Sequence, residues 1–273
     1  MQLSVVIITF NEEANIGRTL ESVQPLVVDG KGEIIVVDSD STDRTVEIAK
    51  AFGAKVFVEE WKGFAGQKNS AIEKATGDWI LSLDADEEVS DVAQAFILDF
   101  LFGSFGAEMR GRNGGILFGR RNYFLGRWIR HGGFYPDKKV RLISRNAGLF
   151  EKRLVHEDLQ LSSHANLFDA SPHWSLHGNS RVDLIHHSYP TISDYIYHMN
   201  RYSSLGAEMV AAKGKVRFSF INIVLRPAVT FIYNYFFRLG FLDGREGLLL
   251  HLYHAVYVSW KYAKAWELSR KPR

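Results

Sequence analysis

The stretch that decides the fold is LSVVIITFNEE, residues 3–13. Leu3 to Phe10 is a short, β-branched apolar run that breaks at once into Asn11, Glu12 and Glu13. An apolar run of this length without polar alternation marks a strand buried on both faces, as in parallel sheets covered by helices. Asn11 is placed to cap the next segment, where Ile16, Leu20 and Val23 recur at helical spacing. The same unit then repeats. EIIVVD at 33–38 is a second buried strand, and Ser41 and Thr42 open a helix carrying Val46, Ile48 and Ala49. KVFV at 55–58 is a third strand, Gln67 to Ala75 a helix ended by Gly77, and DWILSL at 78–83 a fourth strand. Repeated β-α-β units predict an α/β fold with a doubly wound, mostly parallel sheet. Such sheets bind ligands beyond the carboxyl ends of their strands, so the polar residues after each strand are the candidates for a site.

The rest of the chain is organised differently. Residues 103–115 are rich in Gly, Asn and Arg and read as a loop. Residues 116–190 mix short strand signals with aromatic and His-rich turns. From about 191 the pattern is helical: Ile192, Tyr195, Ile196 and Met199, then 218–237 and 245–268. The expected division is an α/β domain over 1–200 and a C-terminal helical region over 201–273. A length of 273 residues suffices for one large domain with an appendage. The chain has no cysteine, which excludes disulfides, thiolate metal sites and a cysteine nucleophile. The N-terminus has no basic region before its apolar run and does not read as a signal peptide, and no run of about 18 apolar residues predicts a membrane span.

Net charge is +2 but unevenly spread. Residues 1–100 hold 8 basic and 19 acidic side chains, a net of −11; 101–200 carry +5 and 201–273 carry +8. An acidic front suits a site for cations, and a basic tail suits an anionic partner.

Asp84-Ala-Asp86-Glu87 follows directly on the fourth strand. Two carboxylates two apart at a strand end can address one ligand together, and Mg2+ or Mn2+ held there keeps positions open for phosphate oxygens. A D-x-D pair alone is common and is more often a solvated loop. Its neighbours give it weight: Thr9 to Glu13 end the first strand, Asp38-Ser-Asp-Ser-Thr-Asp43 the second, and Gly66-Gln67-Lys68-Asn69 opens the helix before the D-x-D strand. Asp38 can accept from a base N–H or a ribose hydroxyl, and Lys68 can offer its charge to phosphate. Helix capping is the plain alternative for Asn11, Ser41 and Asp43.

The set T-F-N-E-E, V-V-D-S-x-S-T-D, G-x-x-x-Q-K-N and L-D-A-D-E, in this order and spacing, resembles the family 2 glycosyltransferases of GT-A fold over roughly residues 1–90. The resemblance implies an inverting transfer of one sugar from a nucleotide-sugar, with nucleotide-sugar binding at Thr9, Asn11, Glu12, Asp38, Gln67, Lys68 and Asp84. It implies that Asp86 binds Mg2+ or Mn2+. One departure is Asp40, where that family usually has glycine. The segments Tyr135-Pro-Asp137-Lys-Lys-Val-Arg141-Leu142, Leu154-Val-His156-Glu157, His186-His187-Ser-Tyr189 and Phe241-Leu-Asp-Gly-Arg245 resemble a bacterial subgroup that builds the lipopolysaccharide inner core. That subgroup includes β-1,4-glucosyltransferases, which points to UDP-glucose as donor. It also places the catalytic base at Glu157, with Asp158 and Asp137 as rivals and an ion pair with Lys152 or Arg153 as the non-catalytic alternative. A downstream histidine often completes the metal shell in GT-A enzymes. His186 is expected in that role, with His187 as the alternative.

In the C-terminal third, Phe218 to Phe237 is aromatic and apolar but broken by Arg226-Pro227, where a helix should kink or start. Leu248 to Trp266 is a second apolar helix with Lys261, Lys264, Arg270 and Lys271 near its end. Tyr, Trp and basic flanks are expected to hold these helices at an anionic membrane surface, peripheral on the cytoplasmic face of the inner membrane, where a lipid-linked saccharide acceptor resides. Packing on the catalytic domain or in an oligomer is the alternative.

Other classes fit less well. A dehalogenase-type phosphatase has its D-x-D on the first strand, and a nicotinamide dehydrogenase needs G-x-G-x-x-G after it. A processive synthase needs long membrane spans and Q-x-x-R-W, whereas Phe124 stands where Gln is required before Arg127-Trp128. A nucleic-acid binder would rely on the basic tail, whose aromatics lie in apolar helical runs.

Overall fold

The computed structural model describes residues 2–103, 113–151, 159–170, 181–214 and 216–270. The first strand, β1 (Leu3–Thr9), is fully buried, and α1 (Ile16–Val27) lies on it. There follow β2 (Gly32–Asp38), α2 (Thr45–Ala51), β3 (Lys55–Val58), α3 (Phe64–Glu73), β4 (Trp79–Asp84), β5 (Glu87–Val89) and α4 (Asp91–Phe102). The later strands are β6 (Gly114–Phe124), β7 (Arg127–Trp128), β8 (Asp137–Ser144), β9 (Gly148–Phe150), β10 (Leu159–Leu161), β11 (Asn166–Asp169) and β12 (Asp183–Tyr189). The main sheet runs β3-β2-β1-β4-β8-β6-β12-β5, with β7 and β11 paired to β6. The strands β3, β2, β1 and β4 are parallel, and β8 adds to β4 antiparallel. The strand order reverses at β1, which opens the crevice for ligands at the ends of β1, β2 and β4. This is the mostly parallel α/β sheet expected from the sequence.

The chain groups into two compact units: residues 1–120 with 138–186, and 121–137 with 187–273. In the first unit the period of two along β1 feeds two cores. Leu3, Val5 and Ile7 pack with Ile16, Leu20 and Val23 of α1 and with Phe96 and Phe100 of α4. Val6 and Ile8 pack on the other side with Ala71 and Ile72 of α3 and with Ile143 and Phe150. Each such Val, Leu, Ile or Phe side chain contributes about 1.5–3 kcal/mol on burial. Trp79 and Phe100 meet edge to face at 4.9 Å.

Three helix starts differ from expectation, α3 beginning at Phe64 rather than Gln67. α2 begins at Thr45, not at Ser41-Thr42, because those hydroxyl residues are bonded to Asp38 and Asn11 instead. Asn11 does not cap α1; it adopts φ +54 and its side chain accepts from Thr42 N–H at 2.8 Å. Asp40 also has positive φ, +66, a conformation in which a glycine carries no steric cost and Asp is one of the better-tolerated alternatives.

The second unit is built on α5 (Ile192–Ala211) and α7 (Gly244–Leu268). Between them, α6 (Arg226–Ile232) is flanked by the wider π turns Ile221–Leu225 and Tyr233–Phe237. Thr191 and Asp194 form a reciprocal capping box at the start of α5. Its core joins Phe124, Ile129, Tyr195, Met199 and Leu250. Lys264 of α7 points into α5, with Nζ 2.7–2.9 Å from Asn200 O and Oδ1 and from the Ser203 and Ser204 hydroxyls. Asp243 accepts from the backbone N–H groups of Arg130 and His131 and contacts His131 Nδ1 at 2.9 Å. The Phe241-Leu-Asp-Gly-Arg245 segment thus shapes the loop at 130–134.

Candidate active site

The site is built where three parallel strands end. Thr9 closes β1 and its hydroxyl donates to Asp38 Oδ2 at 2.7 Å; Asp38 closes β2 and is fully buried. The Ser41 N–H and hydroxyl donate to the two oxygens of Asp38 at 2.8 and 2.6 Å. Asn11 and Ser41 tie the two loops together, since Asn11 N–H donates to the Ser41 hydroxyl at 2.8 Å. Asn11, Thr9 and Asp38 therefore form one hydrogen-bonded rim.

Asp84-Ala-Asp86-Glu87 closes β4, and each of its residues is held by a partner, Arg141 serving both Asp84 and Glu87. Asp84 meets Lys68 Nζ at 2.7 Å and Arg141 Nη2 at 2.6 Å. The Ala85 carbonyl accepts from the Thr19 hydroxyl of α1 at 2.7 Å. Asp86 Oδ2 lies 3.3 Å from His186 Nε2. Glu87 is fully buried between Arg120 and Arg141. Burial alone would raise the Asp84 pKa, but the charges of Arg141 and Lys68 outweigh it and hold the carboxyl well below its usual range. Burial likewise opposes ionisation of Asp86, and His186 overcomes it, so the pKa is lowered. Asp84 and Glu87 hold the buried Arg141 guanidinium firmly charged.

Strand register explains the histidine. On β12, His186 stands opposite Glu87 of β5, which brings its ring to Asp86. His187 is the next residue, so its side chain leaves the other face of the strand and stacks on Tyr123 at 5.6 Å. Glu12 is mostly buried beside Asn15, whose amide donates to it at 2.9 Å. Burial, with smaller contributions from Asp86, Asp43 and Asp84, raises its pKa to about 7.

Gln67 and Lys68 sit on α3, both buried. Asn69 pins that helix to β9 with two hydrogen bonds to the Phe150 backbone, 2.8 and 2.9 Å. The Gln67 carbonyl oxygen accepts from Lys62 N–H, while its buried amide nitrogen has no partner among the described residues. A buried donor without a partner is costly, and a nucleotide hydrogen-bond acceptor would satisfy it. Asp137, the rival base, accepts from Asn122 at 3.3 Å. Glu157, Asp158 and His156 lie outside the described residues.

Asp86 and His186 are donors a divalent ion accepts, and among the described residues no cluster of three or more His, Cys, Asp and Glu forms a closed cage. Mg2+-type sites need only one or two carboxylates when substrate phosphates and water supply the rest, so this pair fits an ion completed by substrate. Glu87 and Arg141 stand in the quoted motifs but have no role assigned there, and Arg120 lies outside them. The available signal was Arg141 itself: a lone guanidinium in the strand run Val140–Ile143 must find a buried acid.

The architecture is that of the GT-A glycosyltransferases. The sequence profile of Glycosyl transferase family 2 matches residues 4–102. An uncharacterized glycosyltransferase of Rickettsia typhi is 31% identical over all of this chain and 89% of its own length. The lipopolysaccharide core biosynthesis glycosyltransferase LpsC of Rhizobium meliloti is 28% identical over 98% of this chain and 93% of its own. A mannosyltransferase of Pyrobaculum calidifontis, solved with GDP-mannose and Mn2+, superposes with a TM-score of 0.53 at 17% identity, covering 97% and 86% of the two chains. This chain belongs to glycosyl transferase family 2, and it is an enzyme of that family.

Proposed function

We propose that the enzyme transfers glucose from UDP-glucose, with inversion, onto a saccharide acceptor of the lipopolysaccharide core. The observation that carries this reading is the division of labour in Asp84-Ala-Asp86. Asp84 is clamped by Lys68 and Arg141, which fixes it as an anionic acceptor for ribose hydroxyls, while Asp86 faces His186. Asp38 and the amide of Gln67 offer an acceptor and a donor for the nucleoside. Mg2+ or Mn2+ bound by Asp86 and His186 would offset the charge of the leaving diphosphate. Lys68, Arg141 and Arg120 carry three positive charges that balance Asp84, Asp86 and Glu87, so a bound divalent ion would supply the net positive charge that favours a diphosphate. Glu157 is the proposed base that takes the proton of the acceptor hydroxyl, and Asp137 its rival. The likeness to LpsC supports the lipopolysaccharide acceptor. An acceptor of that kind is anchored in lipid, so the proposed location is the cytoplasmic face of the inner membrane, with the enzyme peripheral on it.

The test is a donor panel. UDP-glucose, UDP-galactose, UDP-N-acetylglucosamine and ADP-heptose are each assayed for thermal stabilisation with Mn2+ and for transfer onto truncated core saccharides. UDP-glucose should stabilise most and should alone turn over. Transfer from ADP-heptose with none from UDP-glucose would replace the donor assignment.

A further inference from the structure

The segment between α5 and α7 inverts the usual rule of burial. Phe237 is 74% exposed, Val229 64% and Ile221 63%. Exposed pairs recur every four residues, from Phe220-Ile221 to Phe236-Phe237. On a regular α-helix a four-residue step drifts by about 40° and would wind the pairs off one face. The two π turns take up that drift: Arg226 N–H bonds to Ile221 O and Arg238 N–H to Tyr233 O, each five residues back. The pairs consequently stay in one stripe. The other side is occupied: Pro227 is buried, the Ser259 hydroxyl of α7 donates to Ile223 O at 2.8 Å, and Phe218 meets Trp266 edge to face.

From Met209 to Arg245 the only acid is Asp243, and it is buried. Arg217, Arg226, Arg238 and Arg245 are all exposed along this stretch, Arg226 against Tyr262 and Arg238 over the Tyr233 ring. No helix among the described residues is long and apolar enough to cross a membrane. We infer that the stripe from Phe220 to Phe237 lies in the plane of an anionic bilayer, its apolar pairs at the head-group boundary and its arginines on the phosphates. A second copy of the chain is the competing occupant. A two-fold contact would set this face against itself and bring its arginines together without an acid to neutralise them. Anionic head groups supply the missing charge.

Of the two C-terminal helical segments expected to meet a membrane, the inference rests on the first rather than on the lysines of the second. Lys264 is consumed by α5, Lys261 lies along Gly206 and the Tyr262 ring, and Lys271 is outside the described residues. The inference rests on the proposed function only in that a lipid-linked acceptor gives the enzyme a reason to be there.

The test is co-sedimentation of the full chain with phosphatidylglycerol–phosphatidylcholine vesicles against pure phosphatidylcholine vesicles. The wild type should bind the anionic vesicles more tightly. Val229→Ser with Phe237→Ser should weaken binding by about tenfold or more at every salt concentration, since apolar contact is not screened. Arg217→Glu with Arg245→Glu should weaken it at low salt and little at high salt. Circular dichroism of each variant, and of Phe237→Ser alone, establishes that the fold is kept. Wild type that ignores anionic vesicles, serine variants that bind as well as wild type, or a wild-type dimer that the serine pair dissociates without any vesicle binding would each overturn the inference. UDP release from UDP-glucose is followed in the same proteins. Its absence throughout would count against the proposed donor and leave the vesicle result standing.

Discussion

The two units break the same rule in opposite directions. At the strand ends of the first, Asp38, Lys68, Glu87 and Arg141 are polar and buried. In the second, Val229, Phe236 and Phe237 are apolar and exposed. Neither arrangement helps a protein fold. A buried charge must be matched by a partner that is itself desolvated, and an exposed aromatic forgoes the burial that would stabilise it. The lesson is that each departure is organised: the charges form a closed network, and the aromatics form one stripe. Departures of that kind mark where the molecule meets something else.

The comparison can be broken by substitution. The largest effect should come from Asp86→Ala, which removes a proposed metal donor at a partly open position. Turnover should fall by about 10³-fold or more with the melting temperature little changed, because several kcal/mol of charge stabilisation is lost from the transition state alone. Activity of that variant in chelator equal to the wild type would remove the metal from the proposal. Glu157→Gln should keep donor binding and lose about 10²–10⁴-fold in rate, the range of a general base. If it stays active while Asp137→Asn is dead, the base is Asp137.

Arg141→Met tests the closed network. It strands Asp84 and Glu87 without their shared cation and should cost about 3–5 kcal/mol in urea unfolding. Arg141→Lys should recover only part, since a single ammonium cannot fork between two carboxylates.

Glu12 gives the sign of a pH effect. Its folded pKa, about 7, lies above the unfolded value near 4.5. The folded state therefore holds the extra proton between those values, and stability falls as pH rises from about 4.5 through 7. Glu12→Gln should match the wild type near pH 4 and exceed it by about 1–2 kcal/mol at pH 8 in the absence of ligand, while binding donor more weakly. Equal stability at both pH values would mean that Glu12 is ordinarily solvated. The smallest effect belongs to the other unit: Phe237→Ser should change stability by no more than about 0.5 kcal/mol, as an exposed position does. A larger loss would show that the stripe is part of the core.

Much of this was legible in the chain. The order of strands and helices through β4 follows from local patterns, because a buried strand needs consecutive apolar residues and a helix needs them at its own period. The polar residues at the strand ends were legible for the same reason, and Thr9, Asn11, Asp38 and Asp84 do come to one edge of the sheet. Helix starts were harder to read, since Asn11, Ser41 and Thr42 have the chemistry of caps yet bond across two loops. Their partners are about thirty residues away, beyond any local pattern.

What the sequence determined by itself is thus the alternation that makes the sheet and the inventory of groups at its edge. Only the tertiary structure decided how those groups are shared. His186 rather than His187 faces Asp86 because β12 pairs with β5 in one register, and a slip by one residue would exchange the two. Arg141 serves Asp84 because β8 adds antiparallel to β4. Lys264, read as a surface charge, holds α5 because α7 packs along it. Strand pairing and helix packing are contacts between residues distant in the chain, and their energies depend on partners that no local pattern names.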